Sequence, residues 1–314
     1  MLIKNIFPFN ELKEWNHMNI GQIGLGIMGG PMAENLLKAG FAVKGFDIHP
    51  AARERITEAR GEAADSAGEA AEDSDIVITM LPTTAILDEV IMNDILPVVK
   101  KGAIVIDMSS VSPVDSRRWA EMLQEKEAAF LDAPVSGGEP KAIDGTLSIM
   151  AGGTDHAFAA AYPILRAVGT DVTHVGEVGA GSTTKLANQI LVNVTMAAMS
   201  EAVLLASKAG ADIDKVYEAI RNGLAGSSVL DAKIPKILER DFTAGGRIDI
   251  NLKDLSNVLQ TGKSLGVPLP LASDVAEMYE SMIAHGKQSD DHSGVLQHYE
   301  MLANYSVPKG GKHG

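Results

Sequence analysis

A parallel-rich α/β domain followed by an all-α domain is predicted by three observations on this chain of 314 residues. Short β-branched runs alternate with helically spaced segments from Asn19 to about residue 180, the order of βαβ units around a parallel sheet. A glycine-rich turn, Gly24-Leu25-Gly26-Ile27-Met28-Gly29, joins the first run to the first helix. Beyond residue 180 strand signals thin out and apolar residues recur at helical spacing. The length agrees with two cores, since a domain usually holds about 100–200 residues. The expected boundaries are 18–180 and 181–305, with an N-terminal extension at 1–17 and a tail at 306–314.

The first domain opens with the apolar run Ile20 to Leu25, the turn, and Pro31 to Ala39 at helical spacing, closed by Gly40. Phe41 to Phe46 reads as a second buried strand ending at Asp47. Strand, GxGxxG turn, helix, strand and acid together form the dinucleotide fingerprint of a Rossmann-type domain. Gly24 permits the tight turn, Gly26 lets the backbone approach a pyrophosphate, and Gly29 lets helix pack closely on strand. With Leu25, Ile27 and Met28 they present the amides of a helix N-terminus, which hold a diphosphate without any cation. Asp47 lies eighteen positions past Gly29, where a carboxylate accepts bonds from both adenosine ribose hydroxyls and repels a 2′-phosphate. The expected cofactor is therefore NAD, with NADH preferred and NADPH possible.

Asp75 to Leu81 and Ala103 to Asp107 read as two further strands, and residues 51–74, rich in Ala and Glu, as solvated helical surface. Strand ends in such a sheet face the cofactor, so Leu81, Pro82 and Ser110 are candidates for lining the nicotinamide side, or else plain turn residues. Next, the strand DAPV runs into Ser136-Gly137-Gly138, and a second strand returns after the Asp144-Gly145 turn. Two glycines after a serine expose amides that make a nest for a carboxylate or oxyanion, or an ordinary hairpin loop.

Gly176 to Ala187 opens a long Ala-rich helical stretch that reaches about Ala209. Lys185, Asn188 and Gln189 stand three and four residues apart and so share a helix face. A lysine near a helix N-terminus is disfavoured by the macrodipole. Either a substrate carbonyl or carboxylate accounts for it, or it snorkels at the surface. Ile213 to Arg221, Leu252 to Ser264 and Leu271 to His285 are further helix-period segments, punctuated by Gly210, Gly266 with Pro268, and Gly286. Met196, Ala197, Ala198 and Met199 suggest a subunit interface, with intramolecular core as the alternative.

Composition excludes several function classes. With 27 Lys+Arg against 41 Asp+Glu, the formal charge of −14 offers no footprint for nucleic acid or anionic lipid. Cysteine is absent, which removes thiol nucleophiles, disulfides and cysteine metal sites. No run of about 18 uninterrupted apolar residues occurs, so no membrane span is expected. A soluble cytoplasmic protein is the expectation. Residues 1–17 lack the apolar core and cleavage site of a secretory signal, and read as a non-native or disordered extension. His292, in Asp290-Asp291-His292-Ser293, is the one histidine that invites a ligand role; a hydrogen-bonding loop is the alternative, and no metal site is assigned.

In unbroken order, IGQIGLGIMGGPMAENLLKAG, ITMLP, IDMSS, DAPVSGGEPKAIDGTLSIMAGG, GAGSTTKLANQ and KDLSNVL resemble the β-hydroxyacid dehydrogenase family, from Met18 to about Leu302. The resemblance implies a catalytic lysine at Lys185 and a substrate-orienting amide at Asn188, with Gln189 beside it. It implies a substrate-carboxylate loop at Ser136, Gly137 and Gly138, cofactor-lining positions at Leu81, Pro82 and Ser110, and a KD pair. In that pair Lys253 approaches the cofactor and Asp254 shapes the substrate site. Where the family commonly carries an aromatic eight residues before the KD aspartate, this chain has Gly246. The implied activity is reversible reduction of a small carboxylate-bearing aldehyde to its hydroxyacid, in a homodimer or homotetramer. The segments SGGEPKAIDGTLS, GAGSTTKLANQ, GLAGSSVLDAK and DHS point within the family to tartronate semialdehyde as substrate and D-glycerate as product. A sister enzyme for 3-hydroxyisobutyrate, sulfolactaldehyde, glyoxylate or succinic semialdehyde would change the loop after Val135. A non-enzymatic NAD-binding regulator would lack Lys185.

Overall fold

The computed structural model describes residues 18–311. The extension expected at 1–17 and the last three residues of the expected tail lie outside the described residues. The chain divides into two compact units, one up to Lys185 and one from Leu186.

In the first unit the described residues form a nine-stranded sheet. Its parallel part runs β3 (Glu62–Ala63), β2 (Ala42–Phe46), β1 (Asn19–Ile23), β4 (Ile76–Thr79), β5 (Ile104–Asp107) and β6 (Ala129–Asp132). This is the doubly wound order that puts a ligand site outside the carboxyl ends of the strands. β8 (Leu147–Gly152) pairs antiparallel with β6 and with β7 (Val135–Ser136), and parallel with β9 (Gly169–Gly176). Every residue of β4 and β5 is buried, as the unbroken β-branched runs predict for central strands covered on both faces. β2 alternates between exposed or half-buried and buried residues, so the strand expected to be buried is a half-exposed one near the sheet edge.

The segment 51–74 is not simply solvated surface. It holds α2 (Pro50–Glu58), β3 and the short α3 (Ala67–Ala71), and Ala64, Ala67, Ala70 and Ala71 are buried. Their small side chains bring α3 so close to β1 that a Cβ on Gly21 would lie 2.0 Å from the Ala70 carbonyl oxygen. The expected hairpin loop after Ser136 is likewise a helix, α6 (Gly138–Asp144), which Gly145 ends in a left-handed conformation. Pro140 sits in its first turn, where a missing N–H costs nothing. The other helices of this unit among the described residues are α1 (Gly29–Lys38), α4 (Thr84–Val90) with a π-helical turn (Ile91–Ile95) after it, α5 (Pro113–Glu125) and α7 (Asp155–Val168).

α8 (Ala180–Lys208) begins in the first unit and continues through the second. By length and composition it is apolar enough to cross a membrane. Within the second unit, however, Met196, Ala197, Met199 and Val203 belong to the core. The buried Asn193 and Ser200 side chains bond back to carbonyls one turn earlier. The interface suggested for Met196, Ala197 and Met199 is therefore core; only Ala198 of that group is exposed. The core is completed by α9 (Ile213–Ile220), α10 (Ser228–Glu239), α11 (Ile248–Leu265), α12 (Pro270–Ala284) and α13 (Leu296–Ala303). α9, α11 and α12 match their expected spans to within a few residues, whereas α10, which contains Pro235, and α13 carried no clear signal. Residues 306–311, expected as tail, pack: Val307 is buried in the same core.

Candidate active site

The cofactor turn grows out of β1. Gly24 N–H donates to the Phe46 carbonyl at 2.8 Å, which fixes the turn beside the end of β2. Its φ of 93° is one that side chains resist. A Cβ on Gly29 would lie 2.0 Å from the Gly24 oxygen, so the chain's own packing demands glycine there. Gly26 differs, because nothing lies within 4 Å of where its Cβ would stand. The missing side chain leaves room for something that is not part of this chain, as a pyrophosphate requires. No side chain caps α1 and no acid occupies its first turn, so its N-terminal amides suit an anion. These residues fit a dinucleotide.

Asp47 is tied into the same turn. Its Oδ2 accepts the Leu25 N–H at 2.8 Å, and its Oδ1 accepts the His49 N–H at 2.9 Å and lies 2.8 Å from His49 Nδ1. Burial raises the Asp47 pKa, but these bonds outweigh it and hold the carboxyl below its ordinary range. A charged carboxylate thus stands at the end of β2. At the ends of β4 and β5, Leu81 N–H donates to Ser109 Oγ at 2.9 Å and Thr79 Oγ1 donates to the buried Asp107 at 2.8 Å. Leu81 and Ser110 are half-buried there and Pro82 is exposed.

Ser136 pairs with Ser148 across β7 and β8. Gly137 and Gly138 follow with φ of 140° and 69°, conformations that favour glycine, and lead straight into α6. Four residues before Ser136, the last residue of β6 is a further candidate that no sequence motif marks. Asp132 is fully buried and accepts the Gly179 N–H at 2.8 Å and the Ser182 N–H at 2.6 Å, at the start of α8. Burial pushes its carboxyl up to about 6, against the lowering effect of those amides. A lone carboxylate inside the apolar run AFLDAPV was the available signal. One turn beyond Ser182, Lys185 is only 8% exposed. A snorkelling surface lysine does not describe it.

The second unit joins four of the expected residues into one chain of contacts. Asn188 Nδ2 donates to Gln189 Oε1 at 2.9 Å, and Gln189 Nε2 donates to Asp254 Oδ2 at 2.6 Å. Asp254 Oδ1 lies 3.0 Å from Lys253 Nζ. Gln189 and Asp254 are both buried. The Asp290–Ser293 cluster is structural. Asp291 accepts Lys233 Nζ at 2.8 Å on each oxygen, and the Gly245, Gly246 and Ser293 amides as well. His292, its pKa lowered to about 4 by burial and then by Lys233, is neutral and turns Nδ1 toward Asn193 Oδ1 at 3.4 Å. A Cβ on Gly246 would meet the His292 ring at 3.6 Å. The imidazole thus stands beside the position where the family commonly has an aromatic.

Known proteins resemble this chain along most of its length. Residues 19–176 match the family described as the NAD binding domain of 6-phosphogluconate dehydrogenase. Residues 179–299 match the family described as NAD-binding of NADP-dependent 3-hydroxyisobutyrate dehydrogenase. The chain is 40% identical to 2-hydroxy-3-oxopropionate reductase of Escherichia coli, over 92% of this chain and 100% of that one. It is 37% identical to 2-(hydroxymethyl)glutarate dehydrogenase of Eubacterium barkeri, over 93% of this chain and 98% of that one. Among solved structures, 3-hydroxyisobutyrate dehydrogenase of Mycobacterium tuberculosis superposes with a TM-score of 0.84 at 31% identity, covering 89% of this chain and 98% of that one. The glycine-rich dinucleotide turn and likeness to such a dehydrogenase over 92% of the chain lead to one conclusion: the chain belongs to the β-hydroxyacid dehydrogenase family and is an NAD(P)-dependent oxidoreductase.

Proposed function

We propose that this enzyme reduces tartronate semialdehyde (2-hydroxy-3-oxopropanoate) to D-glycerate, reversibly, with NADH as the preferred reductant. The observation that carries the reading is Lys185, a buried lysine five residues into α8. The substrate choice is supported by the SGGEPKAIDGTLS loop and by the 40% identity to the Escherichia coli reductase. The cofactor choice is supported by the ionised Asp47, which disfavours a 2′-phosphate.

In this reading the Ser136-Gly137-Gly138 amides hold the substrate carboxylate and so aim the aldehyde. A reduced nicotinamide, when bound, supplies hydride to the carbonyl carbon. Lys185 stabilises the negative charge that grows on the carbonyl oxygen and gives it a proton, which leaves the lysine neutral until it regains one from solvent. Lys185 is the electrophile, so the chemistry calls for no metal. Asn188, Gln189 and Asp254 serve the substrate; Lys253, Leu81, Pro82 and Ser110 serve the cofactor, as the family resemblance implies. A sister dehydrogenase for another small hydroxyacid is the second reading, favoured by the 37% identity to the Eubacterium barkeri enzyme. The proposal includes a cytoplasmic homodimer or homotetramer. Leu191, Ala198 and Leu205, seven residues apart on α8, form an exposed apolar stripe that supports self-association.

Initial rates on tartronate semialdehyde, methylmalonate semialdehyde, sulfolactaldehyde and glyoxylate, each with NADH and with NADPH, test the reading. Tartronate semialdehyde with NADH is expected to give the highest kcat/KM. A higher value for any other aldehyde would overturn the substrate, and a higher value with NADPH would overturn the cofactor.

A further inference from the structure

We propose that Asp132 is a positioning residue for Lys185, its buried carboxylate fixing the first turn of α8 against the end of the strand that leads into the Ser136–Gly138 loop. The inference rests on the reading of Lys185 as the catalytic acid. Its geometry lies within the first unit. One carboxylate oxygen takes the Gly179 N–H at 2.8 Å and the other the Ser182 N–H at 2.6 Å. Lys185 follows Ser182 by three residues, one turn on the same face.

The approach of α8 to the sheet is built for this bond. A Cβ on Gly181 would lie 2.1 Å from the Asp132 carbonyl oxygen, and one on Gly152 would lie 2.5 Å from Asp132 Oδ1 and 2.7 Å from the Gly181 nitrogen. Two glycines thus let the helix backbone rest directly on β6 and β8. Ser182 adds a tie to α5, its Oγ lying 3.2 Å from Ser116 Oγ. Asp132 also stands four residues before Ser136. One side chain therefore sets where the lysine helix starts relative to where the carboxylate loop starts. A sub-ångström shift between those two is the kind of error to which transfer rates are most sensitive.

Charge makes the arrangement more than a generic cap. Burial pushes the Asp132 carboxyl up to about 6, so ionisation costs folding free energy, and stability from this group falls as pH rises from the ordinary carboxylate range through 6. An amide would fold more cheaply. It would also turn an N–H toward one of the two backbone donors and hold only the other. Of the charged residues on the elements packed here, Asp107 on β5 stands opposite Asp132 in register and the Arg117 guanidinium of α5 lies against Gly179, while Glu177 precedes α8 and Lys185 follows Ser182 by three residues in the chain. Asp107 already accepts Thr79 Oγ1 and the Ser109 N–H.

The test is Asp132→Asn beside Lys185→Ala, with the best aldehyde acid of the panel. In Asp132→Asn, kcat at pH 8 is expected to fall by about 100-fold, while NADH affinity and the unfolding midpoint hold or the midpoint rises. The wild type is expected to lose kcat as pH falls through about 6 with the fold intact, and the variant to lack that limb. Should the variant fail to fold, hydrogen exchange in the wild type decides. Protection of peptides spanning 179–185, corrected for intrinsic rate, is expected to change across pH 6 in step with kcat. Full kcat in Asp132→Asn beside an inactive Lys185→Ala would overturn this inference alone, as would protection at 179–185 that does not change across the same pH range. Full activity of Lys185→Ala would overturn the proposed mechanism instead.

Discussion

Replacing Asp291 with Ala removes the acceptor of five hydrogen bonds at once. The carboxylate is fully buried, and its partner Lys233 is 14% exposed at the side chain. Lys233 Nζ sits 2.8 Å from both oxygens, and three backbone amides, those of Gly245, Gly246 and Ser293, lie at 2.9, 3.0 and 3.1 Å. Removing one member of a buried ion pair costs about 3–5 kcal/mol, because the other charge is left without compensation. Amides that water cannot reach would add about 1–3 kcal/mol each, but relaxation after truncation lets some of them re-pair, so ~4 kcal/mol is the expected total. In urea this moves the unfolding midpoint down by about 1–3 M. The pH dependence has a definite sign. Burial alone would raise the Asp291 pKa, but the Lys233 bond, the charge that His292 gains only in acid, the Lys233 charge and the Ser293 bond hold it well below 3.8. The stabilisation is then fully present above pH 4 and lost as pH falls below it. Urea unfolding of wild type and variant at pH 7.5 and at pH 2.5, followed by circular dichroism, measures both parts. A difference under ~1 kcal/mol at pH 7.5, or one that does not shrink on acidification, would show that the Asp291–Lys233 pair does not hold this core.

Three other changes probe the cofactor turn and the second unit. Gly29→Ala drives a Cβ into the Gly24 carbonyl, and NADH affinity, read by fluorescence titration, is expected to weaken at least about 10-fold with the backbone displaced. Asp47→Ala removes the acceptor for the Leu25 and His49 amides. The ratio of kcat/KM for NADH over NADPH is expected to fall by about 10–100-fold, the value of one or two bonds to a charged group. Gln189→Ala leaves the buried Asp254 Oδ2 without its donor at 2.6 Å. The unfolding free energy is expected to drop by about 1–3 kcal/mol, with kcat reduced and NADH affinity kept.

What could be read in the sequence was what is encoded locally. Gly24, Gly26 and Gly29 stand at fixed spacing because each meets a separate local demand, and a turn between two regular elements shows itself in residue order. The length of α8 was legible for the same reason. Asp132 was not, since its partners Gly179 and Ser182 lie 47 and 50 residues away and only the stacking of helix on strand brings them together. The pairing of Gln189 with Asp254 spans 65 residues and was hidden likewise. Alanine misled at residues 64–71, because it serves both exposed helix faces and the closest backbone approaches, and only the clearance at Gly21 distinguishes them. Pro140 lies in the first turn of α6 and α10 runs through Pro235, so a proline within a residue run does not by itself mark where a helix stops. At Gly246 the departure from the family pattern was visible, but the His292 ring beside it was not, because that contact crosses 46 residues.

In the proposed mechanism the buried Lys185 is the acid and electrophile of the reaction. Stopped-flow measurement of NADH oxidation by Lys185→Ala, with tartronate semialdehyde saturating and NADH binding titrated in parallel, tests it most directly. The expected result is a hydride-transfer rate lower by about 10²–10⁴-fold with NADH affinity within twofold of wild type. A transfer rate within threefold of wild type would contradict it.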